Sequence, residues 1–113
     1  MSGGVLELGG ATFDEVVQSG DLPVVVEFWA PWCPPCTTMG PVLESVASEY
    51  GDRLLVVRIN ADEEPELARR YEVVSVPTFL VFRQGEVRNR MVGARSRSRL
   101  LDEIEAGPGP IRT

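Results

Sequence analysis

Histidine and lysine are both missing from the 113-residue chain, and cysteine occurs only twice. Without His, the Ser–His and Cys–His nucleophile pairs, the most frequent general base and most zinc sites are excluded together. With only Cys33 and Cys36, a disulfide-stapled secreted scaffold is excluded as well. No apolar run approaches the ~18 residues that a membrane span requires. All 11 basic side chains are Arg, set against 17 Asp and Glu for a net charge of −6. That balance argues against general nucleic-acid binding, whose affinity comes from neutralising phosphates. Met1–Gly4 has neither the basic nor the apolar segment of a secretory signal. A cytoplasmic location is therefore expected, and there a close cysteine pair is redox-active or metal-binding rather than structural.

What is present is an ordinary globular composition, 43% apolar and 25% charged, in a length that suits one domain. Val5–Leu8 is a short apolar stretch. Thr12 and Glu15 fit a capping box and predict a short helix to about Gln18. Leu22–Ala30 is apolar on both alternations apart from Glu27, the pattern of a strand buried on both faces of a parallel or mixed sheet. Met39, Val42, Leu43, Val46 and Ala47 recur at helical spacing within Pro34–Tyr50, with Gly51 as the stop. Leu54–Ile59 reads as a strand and Glu64–Tyr71 as a short helix. Pro77–Phe82 and Glu86–Val92 flank Arg83-Gln84-Gly85 and read as an antiparallel hairpin with a short turn. Ser96 caps a last helix that buries Leu100, Leu101 and Ile104. The predicted order, βαβαβαββα, is an α/β fold with a central mixed five-stranded sheet flanked by four helices. Residues 1–106 form the expected domain and 107–113 a disordered tail.

Trp32-Cys33-Pro34-Pro35-Cys36 falls where a buried strand ends and a helix begins. Two intervening residues let one helical turn bring the sulfurs into bonding distance. Cys33 sits at the helix N-cap, where unpaired amides favour a thiolate. The helix dipole is worth ~0.3–2 kcal/mol. Moving a thiol from ~8.5 to neutrality takes about 2 kcal/mol, so direct N–H···S contacts must help. Pro34 and Pro35 have no N–H, which leaves Cys36 and Thr37 as donors. Cys33 is the expected nucleophile and Cys36 the buried resolving thiol. Half a zinc site is the alternative, but with no other Cys or His it needs a second chain or carboxylates. Glu27, a carboxyl in a Val/Phe/Trp strand, is disfavoured in its charged form. It reads either as a proton relay to Cys36 or as a strand-end carboxylate reaching water. Trp32 reads as part of an exposed recognition patch, and Arg95–Arg99 as a solvated surface run. Pro77 begins a strand, as a turn proline or after a cis Val76–Pro77 bond.

From about Ala11 to Glu105 the chain resembles the thioredoxin family. The resemblance is carried by Val26–Ala30, the Trp-Cys-x-Pro-Cys loop at Trp32–Cys36, Pro41, Val76-Pro77-Thr78, the Gly85-Glu86 turn and Val92-Gly93-Ala94. It implies a thioredoxin fold and a protein-disulfide reductase, with Cys33 attacking, Cys36 resolving and Pro77 as a cis-proline facing them. It further implies that Trp32, Val76, Val92, Gly93 and Ala94 form the rim for a substrate segment, paired with the Val76 backbone in strand fashion. Pro41 is expected to kink its helix. The implied partners are disulfide-containing proteins and an NADPH-dependent flavoprotein reductase, with no bound cofactor or metal beyond the Cys33–Cys36 disulfide. A monomeric electron carrier in cellular redox homeostasis is expected, with no nucleic-acid or membrane partner. Two positions depart from the family: Pro34 stands where Gly is usual and Glu27 where Asp is usual. The cysteine-flanked dipeptide tunes a potential that spans ~−270 to ~−120 mV across the superfamily, and Pro34 predicts a value somewhat more oxidising than ~−270 mV. A more oxidising oxidant or isomerase, an exported reductase, and a non-catalytic interaction module on the same fold are the competing readings.

Overall fold

The computed structural model describes residues 4–106, and the expected tail 107–113 lies outside the described residues. The elements, in order, are β1 (Leu6–Glu7), α1 (Gly10–Ser19), β2 (Val24–Trp29), α2 (Pro34–Tyr50), β3 (Leu55–Asn60), α3 (Pro65–Arg70), β4 (Thr78–Arg83), β5 (Glu86–Val92) and α4 (Arg97–Ala106). The sheet order is β1-β3-β2-β4-β5. β1 and β2 run parallel to β3, whereas β4 is antiparallel to β2 and β5 to β4. This is the mixed five-stranded sheet with four helices that the alternation of strands and helices predicts.

β2 takes the centre because both of its faces are apolar. Val24, Val26 and Phe28 pack with Phe13 and Val17 of α1 and Leu67 of α3. Val25 faces the other way, toward Met39, Leu43 and Val46 of α2 and Leu100 and Ile104 of α4. Side chains alternate along a strand, so Glu27 and Trp29 share the Val25 face, beneath α2. The α2 N-terminus follows directly from the end of β2, which sets the cysteines at the carboxyl edge of the central strand.

Two local readings need correction, the start of α1 and the length of the hairpin turn. α1 starts at Gly10, with Gly9 as N-cap and no side-chain cap, so Thr12 lies inside the first turn rather than before it. The helix extends back because the Phe13 amide bonds the Gly9 carbonyl at 2.8 Å, and Phe13 and Val17 are both driven into the core. Gly51 is the C-cap that ends α2, at φ −61° in the right-handed region. The Arg53 and Leu54 amides close that end on the Tyr50 carbonyl. The hairpin strands meet at Arg83 and Glu86, with Gln84 at φ 52° and Gly85 at φ 82° forming the two-residue turn. α2 continues through Pro41, which offers no N–H to the Thr37 carbonyl. Ser96 does cap α4, its hydroxyl accepting the Arg99 amide at 3.1 Å.

Candidate active site

Cys33 is the N-cap of α2, in extended backbone conformation. Its sulfur accepts the Cys36 amide at 3.3 Å and lies 3.7 Å from the Val76 carbonyl oxygen. The two cysteines form a disulfide with a Cα–Cα distance of 5.3 Å. With prolines at the first two helical positions, only the next amides remain to meet the sulfur. The Thr37 amide goes to the Cys33 carbonyl instead, at 3.2 Å, so one backbone donor serves the sulfur rather than the two expected. Cys36 is fully buried and Cys33 nearly so, in a small cluster with Ala30, Trp29 and Val76.

The surface around this pair is apolar. Trp32 is 68%, Val74 95% and Val92 56% exposed. Trp32 is held by its indole Nε1, which donates to Asp62 at 2.8 Å; the Asp62 amide in turn bonds Asn60 at the end of β3. The Val76–Pro77 peptide bond is cis. The Pro77 carbonyl accepts the Gly93 amide at 2.8 Å, tying the segment that holds Val92, Gly93 and Ala94 to the loop before β4. Gly93 is at φ 98°, where a side chain would be strained. A groove of ≈ 560 Å³ runs from Trp32 and Val76 along α3, lined by Ala61, Pro65, Ala68 and Val73 among others.

Beneath the loop, Glu27 is fully buried. Its Oε1 receives Arg58 Nε at 2.6 Å, while Oε2 is buried with no hydrogen-bond partner among the described residues. Glu27 and Arg58 are register partners on adjacent parallel strands. Burial pushes the Glu27 carboxyl up from 4.5 to about 7, and the Arg58 cation only partly offsets it. The same guanidinium donates to the Cys36 carbonyl at 3.3 Å and lies 4.5 Å from the Trp29 ring centroid. Arg58 therefore touches the carboxyl, the cysteine turn and the aromatic wall at once. The sequence reading does not single it out. A usable signal exists, since Arg58 interrupts the apolar β3 run much as Glu27 interrupts β2. Asp62 also escapes that reading, and in a loop it carries no such signal.

Arg95 corrects the reading of Arg95–Arg99 as solvated. Its side chain is only 5% exposed and pairs with Glu103. Arg97 bonds Ser45 and Glu49 of α2, whereas Arg99 is largely exposed. Among the described residues, no group of three or more His, Cys, Asp and Glu is placed to hold a metal ion, and no helix is long and apolar enough to cross a membrane.

A disulfide across the first turn of a helix, with one sulfur hydrogen-bonded to a backbone amide and the other wholly buried, is the reactive group of a thiol–disulfide oxidoreductase. The family model described as thioredoxin matches residues 4–106. Thioredoxin 1 of Synechococcus elongatus is 39% identical over 84% of this chain and 89% of its own length. The chloroplastic M-type thioredoxin of spinach is 40% identical over 89% of the chain, which spans 56% of that protein. A bifunctional thioredoxin reductase/thioredoxin of Mycobacterium leprae is 42% identical over 91% of the chain, which spans 22% of it. Among solved structures, a mutant thioredoxin of Halobacterium salinarum superposes with a TM-score of 0.85 at 34% identity, covering 96% of this chain and 95% of that one. The chain belongs to the thioredoxin family.

Proposed function

We propose that the protein is a protein-disulfide reductase that carries electrons to disulfide-containing protein substrates in the cytoplasm, as a monomer without a bound cofactor. The observation that carries this reading is the Cys36 amide held 3.3 Å from the Cys33 sulfur at the mouth of α2. In the reduced state the same N–H stabilises a thiolate there. The Cys33 thiolate attacks one sulfur of a substrate disulfide; a mixed disulfide forms and the other substrate sulfur leaves as a thiolate. The Cys36 thiol gives its proton to the Glu27 carboxylate and attacks the Cys33 sulfur. The mixed disulfide breaks, the second substrate thiolate departs and takes up a proton, and the Cys33–Cys36 disulfide is left. Two electrons have passed to the substrate.

The raised carboxyl suits Glu27 to this relay, because a group near 7 exchanges protons at neutral pH. Arg58 holds one carboxyl oxygen and leaves the other unbonded. Trp32, Val76, Val92, Gly93 and Ala94 form the rim against which the substrate segment lies, with Pro34 and Pro35 stiffening the loop and Pro77 facing the sulfurs. An NADPH-dependent flavoprotein reductase restores the dithiol; the relative that joins reductase and thioredoxin in its name supports that partner. The test is insulin reduction coupled to NADPH through a thioredoxin reductase of the same source. NADPH is consumed by the wild type and not by Cys33→Ser. Consumption equal to the protein-free rate would overturn the reading.

A further inference from the structure

The third edge of the rim runs from the last residue of β5 into a connection without secondary structure. Val92 ends β5, α4 begins at Arg97, and Gly93 between them sits in the left-handed region. A connection like this is free to shift unless its carbonyls are tied down. Both are tied by one side chain. Arg95 Nη2 donates to the Val92 carbonyl at 2.5 Å, and Nε donates to the Gly93 carbonyl at 3.0 Å. Nη1 reaches both oxygens of Glu103 on α4, at 2.6 and 2.8 Å. The guanidinium is nearly buried, and its carbon lies 5.9 Å from the Phe79 ring centroid. On the opposite side, the Gly93 amide is held by the Pro77 carbonyl. The segment is thus clamped between the loop before β4 and the last helix.

Each nitrogen of the fork has its own acceptor, a pattern only Arg can make. A Lys ammonium is a single point that could meet Glu103 or a carbonyl but not the full set. A buried cation committed to a carboxylate and two carbonyls of an exposed rim is more than a general staple.

We propose that Arg95, locked by Glu103, is a positioning residue that fixes the Val92–Gly93 backbone for docking the polypeptide that flanks a substrate disulfide. The proposal rests on the reductase reading above and goes beyond it by assigning the fixing of the docking edge to a side chain outside the cysteine site. Disulfides within a protein chain depend on the clamp; small disulfides with no flanking chain do not.

The experiment measures second-order rate constants of the pre-reduced protein in stopped flow, with insulin and with a small symmetric aromatic disulfide. Arg95→Leu is expected to lower the insulin rate constant about tenfold and to leave the small-disulfide rate within about twofold, because misplacing a docking edge penalises only substrates that use it. Arg95→Lys should recover part of the loss. Glu103→Gln, which keeps a neutral acceptor in the same volume, should show a smaller loss of the same kind, and it carries the test if Arg95→Leu does not fold. Equal slowing toward both disulfides, or no change toward insulin, would overturn the proposal. If the wild type itself reduces the small disulfide but not insulin, the reductase reading fails first and takes this inference with it.

Discussion

Two Arg–Glu pairs flank the cysteines, and they are built differently. Glu27–Arg58 lies in the sheet beneath the disulfide and is under-bonded: one carboxyl oxygen is held and the other is bare. Arg95–Glu103 lies at the rim and is saturated, with both carboxyl oxygens and two backbone carbonyls engaged by a single guanidinium. A bare buried oxygen raises the energy of the charged form, so the first pair can take up and release a proton near neutrality. A fully bonded fork has nothing left to exchange, and it holds geometry instead. On the proposed reading, the same residue types serve chemistry in one place and positioning in the other, according to how completely the carboxylate is bonded.

The largest expected break in this contrast is in stability. The Glu27 carboxyl is raised from 4.5 to about 7 by burial, so between those values the folded state holds a proton that the unfolded state has released. Stability from this group is greatest below pH 4.5 and is lost as pH rises through 7. Urea unfolding of the oxidised protein should show the wild type losing about 3 kcal/mol relative to Glu27→Gln between about pH 4 and about pH 8. Parallel pH profiles would mean that the bare oxygen carries no penalty. The next effect is kinetic. Glu27→Ala should slow resolution of the mixed disulfide about 10²-fold and its formation by less than about threefold. Equal slowing of both steps, followed in stopped flow by the accumulation of the mixed disulfide, would count against the relay.

Arg58→Met makes the contrast sharper by leaving the carboxyl with no cation at all. Since Arg58 lowers the Glu27 value, the midpoint of the resolution rate against pH should move up by about one pH unit. An unmoved midpoint would assign that titration to another group. The smallest effect belongs to the loop rather than to either pair. Pro34→Gly should move the reduction potential down by about 10–30 mV, toward the ~−270 mV of ordinary thioredoxins. A wild-type value at or below ~−270 mV in a glutathione or dithiothreitol redox titration would contradict that expectation.

What can be read from the chain depends on how local the cause is. Pro34–Tyr50 matches the observed helix at both ends, because the N-terminal prolines and the apolar spacing lie within the segment itself. β2 is legible as a doubly buried strand for the same reason, although its observed limits are tighter. The start of α1 misleads because the capping-box pattern at Thr12 competes with core packing of Phe13, and packing prevails. Glu27 stands out as a charge in an apolar run. Its partner does not, because the Glu27–Arg58 pairing depends on the register between β2 and β3, which local pattern does not set. Arg95 misleads most completely. A basic run looks solvated in sequence, and only the approach of α4 to the segment after β5 converts its first member into a clamp.

The central claim is that one sulfur of the reduced pair, Cys33, is ionised at neutral pH by its place at the α2 N-terminus. Rapid iodoacetamide labelling of the reduced protein across a pH series, with Cys33→Ser and Cys36→Ser as controls, tests it directly. A fast-labelling thiol is expected, present in Cys36→Ser and lost in Cys33→Ser, with a midpoint well below the ~8.5 of free cysteine. Labelling of both cysteines no faster than free cysteine, with midpoints at ~8.5 or above, would contradict it.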